Sequence, residues 1–463
     1  MSIKHLQRFD SESSSGFTIP LSRVMYTQHI SMEHPELGKN FGHNQLQNSN
    51  EYAYTVALGV GGQLFEAIFD TGSSDLWIVS SDCSNADCQR IRRYSPTPSL
   101  TLPNVDTLFN LTYLSGTVQG IVAYETVEFG PYMVFSQVLA LANNTMNMGL
   151  SFTGVSGVLG LAHPAEASIP ISTGRTLLDN IFASLDSSER LFSYKLGADA
   201  SSSSFSVGQI DPLYSDRVSE IDYSPVYISE RSNYDYWKIP LLSISIDGVL
   251  VPSAISRSKI HGSVSPIAVL DTGTTLILGP SHDVDNFWTA AGGAQKGEDG
   301  RWKVRCNHAL LVGFVLGNDS TRREIVLDPS DINWVPPAAS LPADGWCLGG
   351  IQSNDGVFSG DWLFGDVFLR NVYVVHTAAS EIGPPLVGLL GTTNVSDALF
   401  RFQHARGNDT IFSSAPELHT GMLFRHRTRP RAGVVFAVTL ISAFLGGAVL
   451  AILFRSHRER KVR

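Results

Sequence analysis

Two stretches of this chain repeat one pattern. Residues 67–74 read Ala-Ile-Phe-Asp-Thr-Gly-Ser-Ser, and residues 268–275 read Ala-Val-Leu-Asp-Thr-Gly-Thr-Thr. In each copy an apolar segment typical of a β-strand runs into Asp-Thr-Gly and two hydroxyl residues, after which apolar residues resume. One Asp-Thr-Gly is expected by chance in about one chain of this size in ten, whereas two in the same frame indicate a duplicated unit. Each unit places one carboxylate, Asp70 or Asp271, in a tight turn.

The duplication extends beyond the two turns. Val158-Leu159-Gly160 begins 88 residues after Asp70, and Leu363-Phe364-Gly365 begins 92 residues after Asp271. This similar spacing predicts two copies of one β unit. If a twofold axis relates the copies, it brings their carboxylates together.

The rest of the sequence between Glu51 and about residue 391 predicts an all-β structure. Short apolar segments are separated by Gly, Ser, Asn and Pro, a pattern typical of barrels and sandwiches. Few stretches are long enough for a helix, and the clearest helix candidates are 176–187 and 281–291. The glycines at 59–62 predict a hairpin turn before Asp70, because they lack the spacing and the following helix of a phosphate-binding loop.

Charge is unevenly distributed along the 463 residues. The formal net charge is −10, and the last 39 residues carry nine Lys/Arg and one Glu, so residues 1–424 have a net charge of −18. This acidity argues against nucleic acid as a partner and suits a protein that works at low pH, where repulsion between carboxylates relaxes. Solubility alone is the alternative explanation.

Cysteines and glycosylation motifs point to an oxidising compartment. Only four cysteines are present, without zinc-type spacing, so two local disulfides and no metal site are expected. Five Asn-x-Ser/Thr sequences are candidate glycosylation sites in a secretory setting. They are Asn110, Asn143, Asn318, Asn394 and Asn408.

Residues 433–454 are uncharged and mostly apolar over 22 positions, about the length needed to cross a bilayer. They predict a single transmembrane helix, with a buried core helix as the alternative. Basic residues flank both ends, so the glycosylation motifs and cysteines decide the orientation. They place the preceding chain in the secretory lumen, a vacuole or outside the cell, and residues 455–463 in the cytosol.

These features divide the chain into six predicted regions. Residues 1–48 are expected to be a poorly ordered leader or pro-segment, and residues 1–10 lack the apolar core of a signal peptide. Either the C-terminal span alone targets the protein or the natural N-terminus lies upstream. The other regions are an N-terminal β lobe at 49–225, a C-terminal β lobe at 226–391, a hydrophilic stalk at 392–432, the span at 433–454 and the basic tail at 455–463.

From Glu51 to Leu390 the sequence resembles the pepsin-like aspartic proteases. The resemblance rests on both Asp-Thr-Gly frames, on the segments at 158–162 and 362–370, and on residues 111–117, which are similar to the tip of the family's flap hairpin. It implies a bilobal fold of two pseudo-twofold-related β-barrel lobes. The anchored tail is similar to that of fungal membrane-attached members.

The resemblance also implies roles for individual residues. Asp70 and Asp271 would be catalytic, and Tyr113 would close over the substrate with Trp77 near its hydroxyl. Ile68 and Val158 would line an apolar pocket with Tyr113. Supporting roles in the two loops would fall to Thr71, Gly72, Ser73, Thr272, Gly273 and Thr274, and the disulfides would be Cys83–Cys88 and Cys306–Cys347. In the flap, Leu114 occupies a position where the family usually has Gly.

The predicted function is therefore that of a membrane-anchored aspartic endopeptidase acting at acidic pH on peptides or proteins, as a monomer without a cofactor. A catalytically silent homologue serving as a receptor or peptide-binding module is the alternative. Serine hydrolases and zinc proteases fit poorly, because no Gly-x-Ser-x-Gly or His-Glu-x-x-His is present. A preference for basic substrates would require a carboxylate facing the cleft, and the sequence does not place one there.

Overall fold

The computed structural model describes residues 6–8, 16–25 and 52–409, apart from 104–106, 199, 229–232, 253–262, 264, 319, 337–339, 358 and 382. Within these ranges the chain is built mainly of β-strands, which confirms the predicted class. The first thirteen are β1 (Leu6–Arg8), β2 (Phe17–Pro20), β3 (Ser22–Met25), β4 (Tyr52–Val60), β5 (Gln63–Asp70), β6 (Leu76–Val79), β7 (Leu108–Thr112), β8 (Thr117–Phe129), β9 (Tyr132–Met146), β10 (Gly157–Gly160), β11 (Leu191–Lys195), β12 (Ser204–Val207) and β13 (Asp222–Pro225).

The second half adds further strands and most of the α-helical residues. Its strands are β14 (Lys238–Ile246), β15 (Val249–Val251), β16 (Ile267–Leu270), β17 (Ile277–Gly279), β18 (Ala294–Lys296), β19 (Trp302–Arg305), β20 (Val312–Leu316), β21 (Arg323–Val326), β22 (Asn333–Trp334), β23 (Trp346–Gly349), β24 (Ile351–Ser353), β25 (Trp362–Phe364), β26 (Val372–Thr377) and β27 (Leu386–Gly391). The α-helices are α1 (Leu150–Thr153), α2 (Leu177–Phe182), α3 (Ser281–Ala291), α4 (Pro329–Ile332), α5 (Asp366–Leu369) and α6 (Val395–Arg406).

The strands form four sheets. A nine-stranded sheet has the order β1-β9-β6-β10-β5-β4-β8-β7, with β3 paired to β4, and an eight-stranded sheet has the order β21-β20-β14-β16-β25-β17-β24, with β15 paired to β14. A four-stranded sheet, β18-β19-β23-β22, completes the second half. A six-stranded sheet, β13-β27-β26-β11-β12-β2, takes strands from both halves and so joins them.

The duplication seen in the sequence is present in the strand pairing. β5 lies parallel to β10, with Leu159 opposite Phe69, and β10 pairs antiparallel with β6. In the second half β16 lies parallel to β25, with Phe364 opposite Leu270, and β25 pairs antiparallel with β17. Each carboxylate-bearing turn therefore follows a strand that is hydrogen-bonded to the apolar-apolar-Gly segment of its own half.

Part of the predicted leader, residues 17–25, is ordered against the folded body, which the sequence did not predict. β2 forms the edge of the six-stranded sheet, with Ile19 opposite Phe205, and β3 pairs with β4. Leu21, between them, is fully buried in the main apolar core. Burial of these apolar side chains against the first half offsets the entropy of ordering the segment.

The predicted stalk is also wrong at its beginning, because the chain folds back as α6 after β27. Asn394 caps the helix by accepting hydrogen bonds from the backbone N–H groups of Ser396 and Asp397. Phe402 is fully buried, and Arg406 donates hydrogen bonds to the carbonyl oxygens of Cys306 and Asn333. The folded body therefore extends beyond residue 391.

Among the described residues no helix is both long and apolar enough to cross a membrane. The predicted span at 433–454 and the basic tail at 455–463 lie outside the described residues.

Candidate active site

The two carboxylates of the repeated motif lie at equivalent strand ends. Asp70 is the last residue of β5, and Asp271 directly follows β16. Both side chains are buried, with 5% of Asp70 and 8% of Asp271 exposed. The residues just before them, 67–69 and 267–270, are apolar and buried, so the surrounding core sets the position of each carboxylate.

Each carboxylate is held by the same pair of donors. One oxygen, Oδ1, accepts the backbone N–H two residues later: that of Gly72 for Asp70 and that of Gly273 for Asp271, both at 2.8 Å. The other oxygen, Oδ2, accepts a hydroxyl three residues later, from Ser73 at 2.5 Å or from Thr274 at 2.6 Å. The repeated hydroxyl residues thus fix the orientation of both carboxyl groups.

The two turns are joined by a reciprocal set of threonine hydrogen bonds. The backbone N–H of Thr71 donates to Oγ1 of Thr272 at 3.0 Å, and that of Thr272 donates to Oγ1 of Thr71 at 3.1 Å. Each hydroxyl in turn donates across the interface, Thr71 to the carbonyl of Leu270 and Thr272 to the carbonyl of Phe69. All four bonds are buried, so they are shielded from competing water.

This arrangement brings the two carboxyl groups within hydrogen-bonding distance of each other. The glycines that follow make the approach possible: a Cβ on Gly273 would lie 2.6 Å from Oδ1 of Asp70, and one on Gly72 would overlap the carboxylate of Asp271. Any larger residue at either position would push the loops apart.

The proximity changes the acidity of the pair. Burial raises the pKa of Asp70 to about 7, and repulsion from Asp271 adds to this effect, while the hydrogen bonds from Ser73 and Gly72 oppose it. Burial also raises the pKa of Asp271. Because the groups interact strongly, they titrate as a pair, and the singly protonated pair persists over a range of pH.

Tyr113 lies above the pair, at the tip of the hairpin formed by β7 and β8. Its backbone N–H donates to the carbonyl of Gly116, and its hydroxyl accepts a hydrogen bond from Nε1 of Trp77 at 2.8 Å. Burial, followed by the charge of Asp70, raises the pKa of Tyr113. Leu114, the next residue of the tip, is 49% exposed.

The predicted apolar pocket residues come together next to this hairpin. Ile68 and Val158 are paired on adjacent strands and belong to one buried cluster that also contains Trp77. Tyr113 packs against the same cluster. The structure thus groups all four residues on the Asp70 side of the site.

The cysteine pairing is confirmed, and the glycosylation candidates are mostly accessible. The disulfides are Cys83–Cys88 and Cys306–Cys347. Four of the candidate asparagines are exposed and one is half-buried; the exposed ones are Asn110, Asn143, Asn394 and Asn408, and the half-buried one is Asn318. Among the described residues no group of three or more His, Cys, Asp or Glu is arranged to hold a metal ion.

Sequence reasoning missed an aromatic cluster beneath the site. Nε1 of Trp237 donates to the carbonyl of Leu161, and its ring lies 4.1 Å from that of His163 and 4.2 Å from that of His376, between centroids. Burial lowers the pKa of His163 to about 4 and that of His376 well below its usual range. The cluster joins residues distant in sequence, and no local pattern in the sequence indicates it.

Comparison with known proteins agrees with this geometry. The family described as "Eukaryotic aspartyl protease" matches residues 51–383. The chain belongs to this family. It is 31% identical to chymosin of Callithrix jacchus over 344 residues, which cover 73% of this chain and 80% of that protein. It is 32% identical to pepsin-3 of Oryctolagus cuniculus (72% and 79% covered) and 30% identical to pepsin A of Sus scrofa (75% and 84% covered). The chain is thus an aspartic-type endopeptidase, a hydrolase.

The variant Ser73→Ala tests whether the hydroxyl of Ser73 lowers the pKa of the carboxyl pair. Its hydrogen bond stabilises the ionised form of Asp70, so Ser73→Ala should raise the pKa of the pair and move the acidic limb of the kcat/KM–pH profile to higher pH. A hydrogen bond to a charged group contributes about 1.5–3 kcal/mol, so kcat/KM on that limb should fall about tenfold or more.

Two variants control this measurement. Ser73→Thr keeps the hydroxyl and should keep the acidic limb near its wild-type position. Ser215→Ala removes an exposed hydroxyl outside the site and should have no effect. An acidic limb that does not move in Ser73→Ala contradicts the assigned role.

Proposed function

We propose that this endopeptidase cleaves peptide bonds at acidic pH through one water molecule held between Asp70 and Asp271. The observation that carries the proposal is the pair of buried carboxyl groups within hydrogen-bonding distance, each fixed by an equivalent backbone N–H and hydroxyl. Two carboxyl groups at this separation do not both ionise readily, so over an acidic range one is ionised and the other protonated.

In this state the pair supplies a base and an acid. The ionised carboxylate takes a proton from the water, whose oxygen bonds to the scissile carbonyl carbon, and the protonated carboxyl hydrogen-bonds the carbonyl oxygen as negative charge develops there. When the carbon–nitrogen bond breaks, a proton passes from the pair to the leaving amine. One water is consumed, and no covalent intermediate with the enzyme forms.

The residues around the pair take supporting roles. Ser73 and Thr274 orient the carboxylates, and the exchange between Thr71 and Thr272 holds the loops at a fixed distance. Tyr113 covers the substrate, and the apolar cluster beneath it favours a bulky apolar substrate residue. Because one chain supplies both carboxylates, the catalytic body acts as a monomer and needs no cofactor.

Asp70→Asn and Asp271→Asn test this mechanism. Each variant removes one member of the acid–base pair, so acid-pH cleavage of a peptide with an apolar scissile pair should fall by at least about 10³-fold, judged by typical losses for such groups. The matched control is Asp216→Asn, an exposed aspartate, which should cleave normally.

A statine-type transition-state mimic should inhibit the wild-type protein. Cleavage that survives in Asp70→Asn contradicts the two-carboxylate mechanism. A wild-type protein that binds peptide without cleaving it would instead support the catalytically silent alternative.

We also propose that residues 433–454 anchor the enzyme to a membrane, as in fungal membrane-attached members of the family, with the catalytic body in the secretory lumen, a vacuole or outside the cell. The length and lack of charge of this segment support a span, and the disulfides and exposed Asn-x-Ser/Thr sequences support the location.

Membrane fractionation of the full chain from cells tests the anchor. The protein should stay in the membrane pellet after alkaline carbonate washing, whereas a chain ending at residue 411 should be released. Glycosidase treatment should lower its apparent mass. Release of the full chain by carbonate, or an unchanged mass, contradicts the anchor or the location respectively.

A further inference from the structure

The chain segment that follows β10 leads from the catalytic pair to an acidic side chain, Glu166. Leu161 donates its backbone N–H to the carbonyl of Asp70 at 2.8 Å, and Ala162 donates to the carbonyl of Ser73 at 2.8 Å. His163, the next residue, donates to the carbonyl of Asp235 at 3.0 Å. The segment is therefore fixed against both halves before it reaches Glu166.

The far side of this segment is fixed as well. The backbone N–H groups of Ser168 and Ile169 donate to the buried carboxylate of Asp75, at 2.7 and 3.0 Å. Glu166 ends a short turn of 3₁₀-helix, Pro164–Glu166, between these two anchors. The position of its backbone is thus determined by the structure of the catalytic loop itself.

The Glu166 side chain is oriented by Tyr236, from the second half. The Tyr236 hydroxyl donates to Oε2 of Glu166 at 3.0 Å. Burial, then the charge of Glu166, raises the pKa of Tyr236, and the charge of Asp271 contributes as well. Tyr236 precedes Trp237, whose backbone carbonyl accepts the N–H of Leu270, next to Asp271. The backbone segments that carry Glu166 and Tyr236 are therefore both hydrogen-bonded to the segments that bear Asp70 and Asp271.

The charge of Glu166 is not balanced by a neighbouring cation. The nearby cation, Lys238, is buried and forms an ion pair with Asp235 at 2.6 Å. Across the part of the chain that the structure describes, Glu166 forms no ion pair, and its other oxygen, Oε1, accepts no hydrogen bond. Glu166 and Tyr236 are both half-buried, so solvent and a ligand can reach them.

We propose that Glu166 is a specificity-determining residue that binds a Lys or Arg side chain of the peptide substrate, close to the scissile bond. The inference rests on the proposed function, since it assumes that peptides occupy the cleft over Asp70 and Asp271. A partly desolvated carboxylate attracts a cation more strongly than an exposed one does, and its hydrogen bond with a cationic side chain is charge-assisted. Together with the apolar cluster around Ile68 and Val158, it selects a substrate with one apolar and one basic residue near the cleavage point.

The test uses peptides that differ at one position. Lys or norleucine is placed in turn at each of three positions on either side of an apolar scissile pair, and kcat/KM is measured for each peptide. At one position wild-type protein should favour Lys about tenfold, and Glu166→Gln should reduce this ratio to about twofold or less. Gln keeps an acceptor for the Tyr236 hydroxyl while removing the charge.

Two further variants complete the comparison. Glu298→Gln removes an exposed surface carboxylate and should keep the Lys preference. Glu166→Lys should favour a Glu-containing peptide over its norleucine counterpart at the same position. A Lys/norleucine ratio that Glu166→Gln leaves unchanged at all six positions overturns the inference.

Binding of the same peptides to the Asp70→Asn protein separates this inference from the proposed mechanism. Fluorescence anisotropy should show tighter binding of the Lys peptide, and the added Glu166→Gln change should abolish the difference. A Lys preference in binding without any cleavage by the wild-type protein would overturn the mechanism and keep the role of Glu166. Cleavage without a Glu166-dependent preference would overturn the role of Glu166 alone.

Discussion

The exchange of hydrogen bonds between Thr71 and Thr272 is the interaction on which the site depends. These two residues lie 201 positions apart and connect the two halves through four buried bonds. These bonds hold the two loops so close that only glycine fits at positions 72 and 273. They also bring the buried carboxyl groups of Asp70 and Asp271 together. The cost of this proximity is lowered by a shared proton and by the donors that surround each carboxylate. The proposed mechanism therefore depends on a structural contact between two copies of one unit.

Two kinds of titratable group lie around this contact, and they change the free energy of unfolding in opposite directions as the pH falls. The raised pKa of Asp70 means that the folded state binds its proton more tightly than the unfolded state does, so this contribution is present below about pH 3.8 and is lost as the pH rises to about 7. The lowered pKa values of His163 and His376 act in the other direction, because these side chains take up protons on unfolding as the pH falls below about 6.5. The carboxyl pair therefore favours folding at low pH, whereas the two histidines of the aromatic cluster around Trp237 disfavour it there.

Much of this organisation could be predicted because it is local. The two Asp-Thr-Gly frames, the strands before them and the helices at 176–187 and 281–291 all leave a pattern within a few residues, and α2 and α3 lie within those ranges. α6 was missed although Asn394 and Gly407 are recognisable helix boundaries, because only tertiary contact buries Phe402. The order of residues 17–25 and the position of Glu166 depend on partners far along the chain, which periodicity does not reveal.

The central claim, that the two carboxyl groups share a buried proton, is tested most directly by the pH dependence of unfolding in Asp70→Asn. An amide cannot ionise, so the variant should gain stability relative to wild type as the pH rises from 4 to 7, with a Tm difference at pH 7 that exceeds the difference at pH 4 by about 5 °C or more. The Asp216→Asn control should show no such trend. A Tm difference that is the same at pH 4 and pH 7 would contradict the shared proton.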